Sequence, residues 1–427
     1  MDLSLVLLIV PIGLIVLLIS FVSTGAGLYI LIASVLLSPE IKLFEVLDRT
    51  AALRISDIVI IFVFLGWLGR MALRRAQNTF KNSPLNSPII IFSLVMIFST
   101  LLGIFRGTVD PAKGLLYLLK RLQYFFIYLT VLNNIKSLRQ IKLAIGFFLL
   151  STVIIDAFTY FQRAQGLLTA YGTFDRGTQA NVLGGFFLMA LFIAIGLWPV
   201  YKGQIKLLLS AIIIFTIPAV LFTNSRGAYI AFVSAIVIVG LMAKRFKLIF
   251  VSLILIGLFL MSLPYLPRDI AESVYSSVRI FPGSEDPSWT ARLEAWKFYL
   301  PQVADSPVFG RGMSSIPLGY VDNQYMMELL DNGIIGLFCL FWLFWRIFIS
   351  VYTLYKNSRN PFVQSIAFGL LGSFVALAIQ AITATNFYTI RTMEPFFFLT
   401  GLIFASKLFE VTKDTPTEAA NIRPYKL

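Results

Sequence analysis

Apolar runs of membrane-spanning length recur along almost the whole chain, at roughly 3–20, 22–37, 57–73, 88–105, 114–133, 140–161, 180–200, 205–222, 226–243, 247–265, 333–355, 362–384 and 393–409. A helix needs about 20 apolar residues to cross a bilayer. Barrel strands need only about 10 and alternate in polarity. Backbone groups inside the hydrocarbon must be satisfied internally, so only helices and closed barrels can span it. The pattern therefore predicts an all-α, polytopic integral membrane protein with about 12–13 transmembrane helices. Only Ser23-Thr24-Gly25 separates the first two runs, which read as a hairpin or as one broken element. Two crossings there put Met1 outside the cytoplasm, and one puts it inside. The polar stretch Arg268–Asp331, about 64 residues long, is the one sizeable interruption. The predicted organisation is a single transmembrane domain over 1–411 carrying the large loop 268–331. A short polar tail, 412–427, is expected to be disordered.

Charge gives the bundle a direction. Arg70, Arg74, Arg75 and Lys81 form one strongly basic connection. Lys136/Arg139/Lys142, Lys202/Lys206, Lys244/Arg245/Lys247 and Lys356/Arg359 form others, alternating with connections poor in Lys and Arg. The positive-inside rule puts the basic set in the cytoplasm and the 268–331 loop outside it. The first apolar run lacks a basic leader and a small-residue cleavage site, so it reads as a retained helix. No internal repeat of the secondary-transporter kind stands out.

Composition narrows the chemistry. The 427 residues are 58% hydrophobic and 13% charged, about half the charge of a typical soluble domain. The formal net charge of +14 fits cytoplasmic loops and anionic lipid contact better than nucleic acid. There is no histidine and a single cysteine, Cys339. A disulfide framework and a thiolate metal site are thus excluded, and the commonest general base is absent. No metal, cofactor or nucleic-acid partner is expected. Acid–base work falls to carboxylates, Tyr or Lys.

Several cations lie where apolar residues would be expected: Lys120, Arg121, Arg163, Arg226 and Arg391, with Arg176, Arg292 and Arg311 in outer connections. Charges at membrane depth cost on the order of 3 kcal/mol and usually face a cavity or a partner. One reading is an anion site at the outer face, because guanidinium forks suit phosphate and pyrophosphate. Arg226 also opens a helix, where free N–H groups favour anions. The other reading pairs some of these cations with Asp156, Asp175, Glu294 or Glu394, or lets them snorkel to headgroups.

Within the loop, Trp289, Arg292 and Trp296 share a face at helical spacing. They suit sugar stacking and phosphate binding, or equally an interfacial helix. Ser306-Pro-Val-Phe-Gly-Arg-Gly312 reads as a turn. Asp322, Tyr325 and Glu328 would form one polar stripe leading back into the membrane. Asp322 is a candidate general base or a helix cap.

At this point the residues resemble a known family. Asp322-Asn-Gln-Tyr325, followed by Gly333-Ile-Ile-Gly336-Leu, resembles the signature of the O-antigen ligase and O-antigen polymerase superfamily. Arg292-Leu-Glu-Ala-Trp296 and Ser306-Pro-Val-Phe-Gly310-Arg-Gly312 match the segment that usually precedes it. Asn224-Ser-Arg226-Gly-Ala resembles the family's Ser-Arg-Gly helix start, and Leu53-Arg-Ile-Ser-Asp57 a weaker N-terminal feature. The resemblance implies a GT-C-like bundle in the bacterial inner membrane with its site on the periplasmic face. It implies inverting, metal-independent transfer of a glycan from undecaprenyl pyrophosphate. The acceptor is lipid A-core in ligases and another lipid-linked glycan in polymerases, with membrane lipids and a chain-length regulator as further partners. Carried onto this chain, Asp322, Arg226 and Arg292 would be catalytic. Lys120, Arg121, Arg163, Arg176, Arg311, Arg391, Tyr325, Trp296 and Glu328 would bind substrate.

Two departures matter. Asp322 stands where ligases carry a histidine, and Asp331 where the family usually has Glu. The first favours a polymerase over a ligase. A lipid-linked oligosaccharide transporter, a peptidoglycan polymerase of the shape-and-division class and a non-catalytic scaffold are the rival readings.

Overall fold

The computed structural model describes residues 3–37, 40–46, 49–73, 80–167, 169–170, 180–262, 268, 271, 287–316 and 321–409. Arg176, all of 272–286 and the expected tail 412–427 lie outside these residues. The described chain is a helical bundle. Its helices are α1 Leu3–Val22, α2 Thr24–Leu37, α3 Ile55–Leu73, α4 Asn86–Phe105, α5 Pro111–Asn134, α6 Leu138–Ala164 and α7 Ala180–Leu197. They continue with α8 Gly203–Phe222, α9 Arg226–Met242, α10 Phe246–Ser262, α11 Pro287–Tyr299, α12 Gln324–Asn357, α13 Pro361–Gln380 and α14 Ile390–Ser406.

Each of the thirteen apolar runs corresponds to a helix, with α11 added inside the loop. Among the described residues, nine of these helices, α3 to α8 and α12 to α14, are long and apolar enough to cross a membrane. The α2, α9 and α10 helices are shorter, at 14, 17 and 17 residues. Hydrogen bonds of helical spacing continue through Ser23, from Ser23 N to Ile19 O and from Gly27 N to Ser23 O. The first two runs are thus joined by a bend. One element was not anticipated: an antiparallel hairpin, β1 Glu40–Val46 with β2 Arg49–Arg54, leading into α3.

Local sequence explains the helix starts. Asp110 caps α5 by accepting from Lys113 N at 2.9 Å, with Pro111 at the first helical position. Asn360 and Pro361 repeat this arrangement at α13. Ser137 and Ser225 cap α6 and α9.

The centre is α7, α13 and α14, each 83% buried over its apolar window, whereas α8 is only 28% buried and lies at the periphery. A Cβ on Gly196 would crowd Ser365 O and Gly369 N, so α7 and α13 touch backbone to backbone. Small residues permit this approach, and lipid-embedded helices gain most of their packing from it. Phe397 of α14 packs on Tyr124 and Phe125 of α5.

The basic connections gather at one end. Lys81 Nζ donates to Leu132 O at 2.8 Å, and Arg346 Nε donates to Pro84 O at 3.2 Å. Lys142 lies 5.1 Å from the Phe362 ring, and Arg245 lies 4.3 Å from the Phe368 ring. The candidate site residues are built at the other end.

Candidate functional site

The site is organised by the entry to α12. Asn323 Oδ1 accepts from Tyr325 N and Met326 N, both at 3.0 Å, and so caps the helix. The capping role considered for Asp322 therefore belongs to its neighbour. The helix is broken at Gly333, where φ is 67° and ψ is −168°, a conformation essentially confined to glycine. The Ser306–Gly312 turn plugs this break. Arg311 N donates to Leu330 O at 2.8 Å, Gly312 N to Asp331 O at 2.9 Å and Ile334 N to Pro307 O at 2.9 Å. Carbonyls and amides released by the kink are satisfied by the turn, as buried backbone requires.

Beneath the entry lies a buried polar cluster. The Arg121 guanidinium, 4% exposed, is paired with the fully buried Glu328 carboxylate. Asn332 Nδ2 donates to the other Glu328 oxygen at 2.7 Å. The guanidinium stacks 3.9 Å from the Tyr388 ring, and Tyr388 donates its hydroxyl to Asp331 at 2.8 Å. Burial drives the Tyr388 phenol well above its usual range, so it stays a donor. Arg121 and Glu328, both expected to meet substrate, are turned towards each other.

The layer above is more open. Arg292 of α11 pairs with Asp322 at 3.5 Å, the two side chains 21% and 25% exposed. Trp296 packs on the small apolar cluster around Met313, Ile316 and Met327, edge-on to Trp289 at 5.7 Å. This cluster seats α11 against the entry of α12. Arg311 donates to Gln302. Tyr325 donates its hydroxyl to Ala378 O at 2.6 Å and stacks on Phe341, so that hydroxyl is held by the fold.

The start of α9 meets the same place. Gln324 N donates to Ala381 O at 2.9 Å, and a Cβ on Gly227 would collide with Thr383 Oγ1. The residues just past α13 thus touch the starts of both α9 and α12, which Arg226 opens and Asp322 precedes. Arg391 opens α14 after the Asn386–Tyr388 turn that bonds to Gln380. Two further sequence candidates have neighbours of their own. Lys120 is 4.0 Å from Asp57, and Arg163 lies 5.6 Å from the Phe222 ring. Asp156 accepts from Thr216 at 2.7 Å.

Sequence reasoning missed the amides that tie these elements together. Gln380 Nε2 donates to Asn181 O at 2.9 Å, and Ser225 donates to Asn181 Oδ1 at 2.7 Å. Gln123 Nε2 bridges Asp57 at 2.8 Å and Glu394 at 2.9 Å. The available signal was an uncharged amide inside an apolar run, which hydropathy alone hides.

Residues 211–341 match the family model described as O-antigen ligase. That segment, about a third of the chain, is thus similar to the O-antigen ligase family. It runs from α8 into α12 and takes in Arg226, Arg292, Arg311, Asp322, Tyr325 and Glu328. Lys120, Arg121, Arg163, Arg176 and Arg391 fall outside it. No curated relative matches the chain. The family match and the nine apolar helices among the described residues together support glycosyl transfer of the O-antigen ligase/polymerase type by a multi-pass membrane protein.

Proposed function

We propose that this chain belongs to the O-antigen ligase and polymerase superfamily and is an inverting polysaccharide polymerase, acting on undecaprenyl-pyrophosphate-linked glycan at the outer face of the membrane. The observation that carries this reading is the partly exposed Arg292–Asp322 pair at 3.5 Å, set at the entry of α12. Arg226 opens α9, whose Gly227 abuts Thr383, two residues past the Ala381 carbonyl that holds Gln324 at the α12 entry. Two guanidiniums and a helix N-terminus suit a pyrophosphate. The acceptor hydroxyl oxygen attacks C1 of the donor sugar. The C1–O bond breaks, and its electron pair leaves on the pyrophosphate, which Arg226 and Arg292 neutralise. Asp322 takes the acceptor proton. With no histidine in the chain, a carboxylate is the natural base for this step. The wider outer set of Lys120, Arg163, Arg176, Arg311 and Arg391 supplies a positive approach for the anionic donor.

The test is a lipid-linked repeat unit given to purified protein with EDTA present, with products resolved on a gel. A ladder is expected, with loss of about 10²–10³ in rate for Arg292→Ala or Arg226→Ala and 10²–10⁴, roughly, for Asp322→Asn. Near-normal rates in both arginine variants would sink the assignment. The family model's description as a ligase favours one second reading. Transfer only when a lipid A-core acceptor is supplied would establish it.

A further inference from the structure

At the basic end of the bundle, opposite the site above, α12 outruns its neighbour. Pro84, just before α4, sits against Arg346 of α12 at 3.2 Å. From there α12 continues to Asn357, about 16 Å further at 1.5 Å per residue. The chain before Pro84 does not follow it. It turns towards the end of α5, where Lys81 binds the Leu132 carbonyl. One stripe of α12 is left over a recess of about 260 Å³, formed by Arg346, Ile349, Ser350, Thr353, Leu354 and Asn357. These positions recur at helical spacing on a single face. Phe404 and Lys407, at the end of α14, close the other wall.

Among the described residues, the lining has two cations and no carboxylate. The hydroxyls of Ser350 and Thr353 and the Asn357 amide add hydrogen-bonding groups beside the cations. Ile349, Leu354 and Phe404 give the recess an apolar side. We propose that this recess binds the phosphodiester headgroup of an anionic phospholipid, with the acyl chains following the apolar side. A basic pocket between membrane helices at the positively charged face has this chemistry, and the arginine fork matches phosphate oxygens. The apolar wall favours a lipid over free phosphate. This site is independent of the proposed transferase site.

The test uses the purified full-length protein, stripped of co-purified lipid in mild detergent. It is offered phosphatidylglycerol or phosphatidylcholine with identical acyl chains, and bound lipids are counted by native mass spectrometry. Phosphatidylglycerol should survive collisional activation that removes phosphatidylcholine. The Arg346→Gln/Lys407→Gln variant should lose one retained phosphatidylglycerol. So should Ser350→Phe, which fills the recess but keeps both charges. Lys202→Gln, at another basic connection of the same end, should lose none. Equal retention of the two lipids by the wild type overturns the proposal, and so does an unchanged phosphatidylglycerol count in either recess variant. The wild-type comparison decides even where a variant fails to fold.

Discussion

Two arginines show how differently one residue type can be used in this chain. Arg121 is 4% exposed and paired with a carboxylate that is not exposed at all, whereas Arg292 and Asp322 remain about a fifth to a quarter exposed. Removing one partner of a buried pair strands the other charge, at a cost of roughly 3–5 kcal/mol. Arg121→Gln should therefore lower the unfolding midpoint of the purified protein, and Arg121→Gln/Glu328→Gln should recover much of that loss. A normally stable Arg121→Gln protein that has lost only transfer activity would instead return Arg121 to the substrate. The sequence shows both arginines equally well. It does not show that Arg121's partner lies 207 residues away, because such pairing depends on which helices become neighbours. Asp322 was legible as a candidate base from its place in a motif. Its pairing with Arg292 depends on how α11 is seated by Trp296, which no local pattern encodes.

At the level of elements, the apolar runs located the helices well, since a bilayer demands length and hydropathy that are easy to read. The break in α12 was less visible. Gly333 could have been an ordinary helical glycine. Its role follows from the Ser306–Gly312 turn, which enters the kink from another part of the chain. A Cβ on Gly333 would overlap the Val308 carbonyl, and one on Gly310 would overlap the Asp331 carbonyl. Gly333→Ala should cost on the order of 1–3 kcal/mol from backbone strain alone, with the steric overlap added to it. Gly146→Ala in α6 is the control, because nothing lies within 4 Å of a Cβ there, and replacing a helical glycine is neutral or favourable. Thermal unfolding of both variants in the same detergent makes the comparison. Equal midpoints would mean that the turn and the kink are not locked together. The hairpin over 40–54 went unread because it is short and lies between two long apolar runs that dominate the pattern.

For the whole molecule, the two ends carry different chemistry, and the orientation of the bundle decides which compartment each one faces. The basic connections collect at one end, where Lys81, Lys142, Arg245 and Arg346 contact the ends of neighbouring helices. The Arg292–Asp322 pair and the starts of α9, α12 and α14 collect at the other. Cytoplasmic connections are enriched in Lys and Arg, so the proposed transferase site should face outward and the proposed lipid recess inward. The chain's single thiol makes this testable, because Cys339 is buried and can be replaced by Ser. In that background, Glu294→Cys on α11 should react with a membrane-impermeant maleimide in intact spheroplasts. Lys202→Cys, between α7 and α8, should react only after permeabilisation. Both positions are exposed in the fold, so access depends on the membrane alone. The reverse pattern would put the arginine–carboxylate entry in the cytoplasm, where a glycan exported on its lipid carrier could not reach it. The polymerase reading would then fail even with every side-chain contact in place.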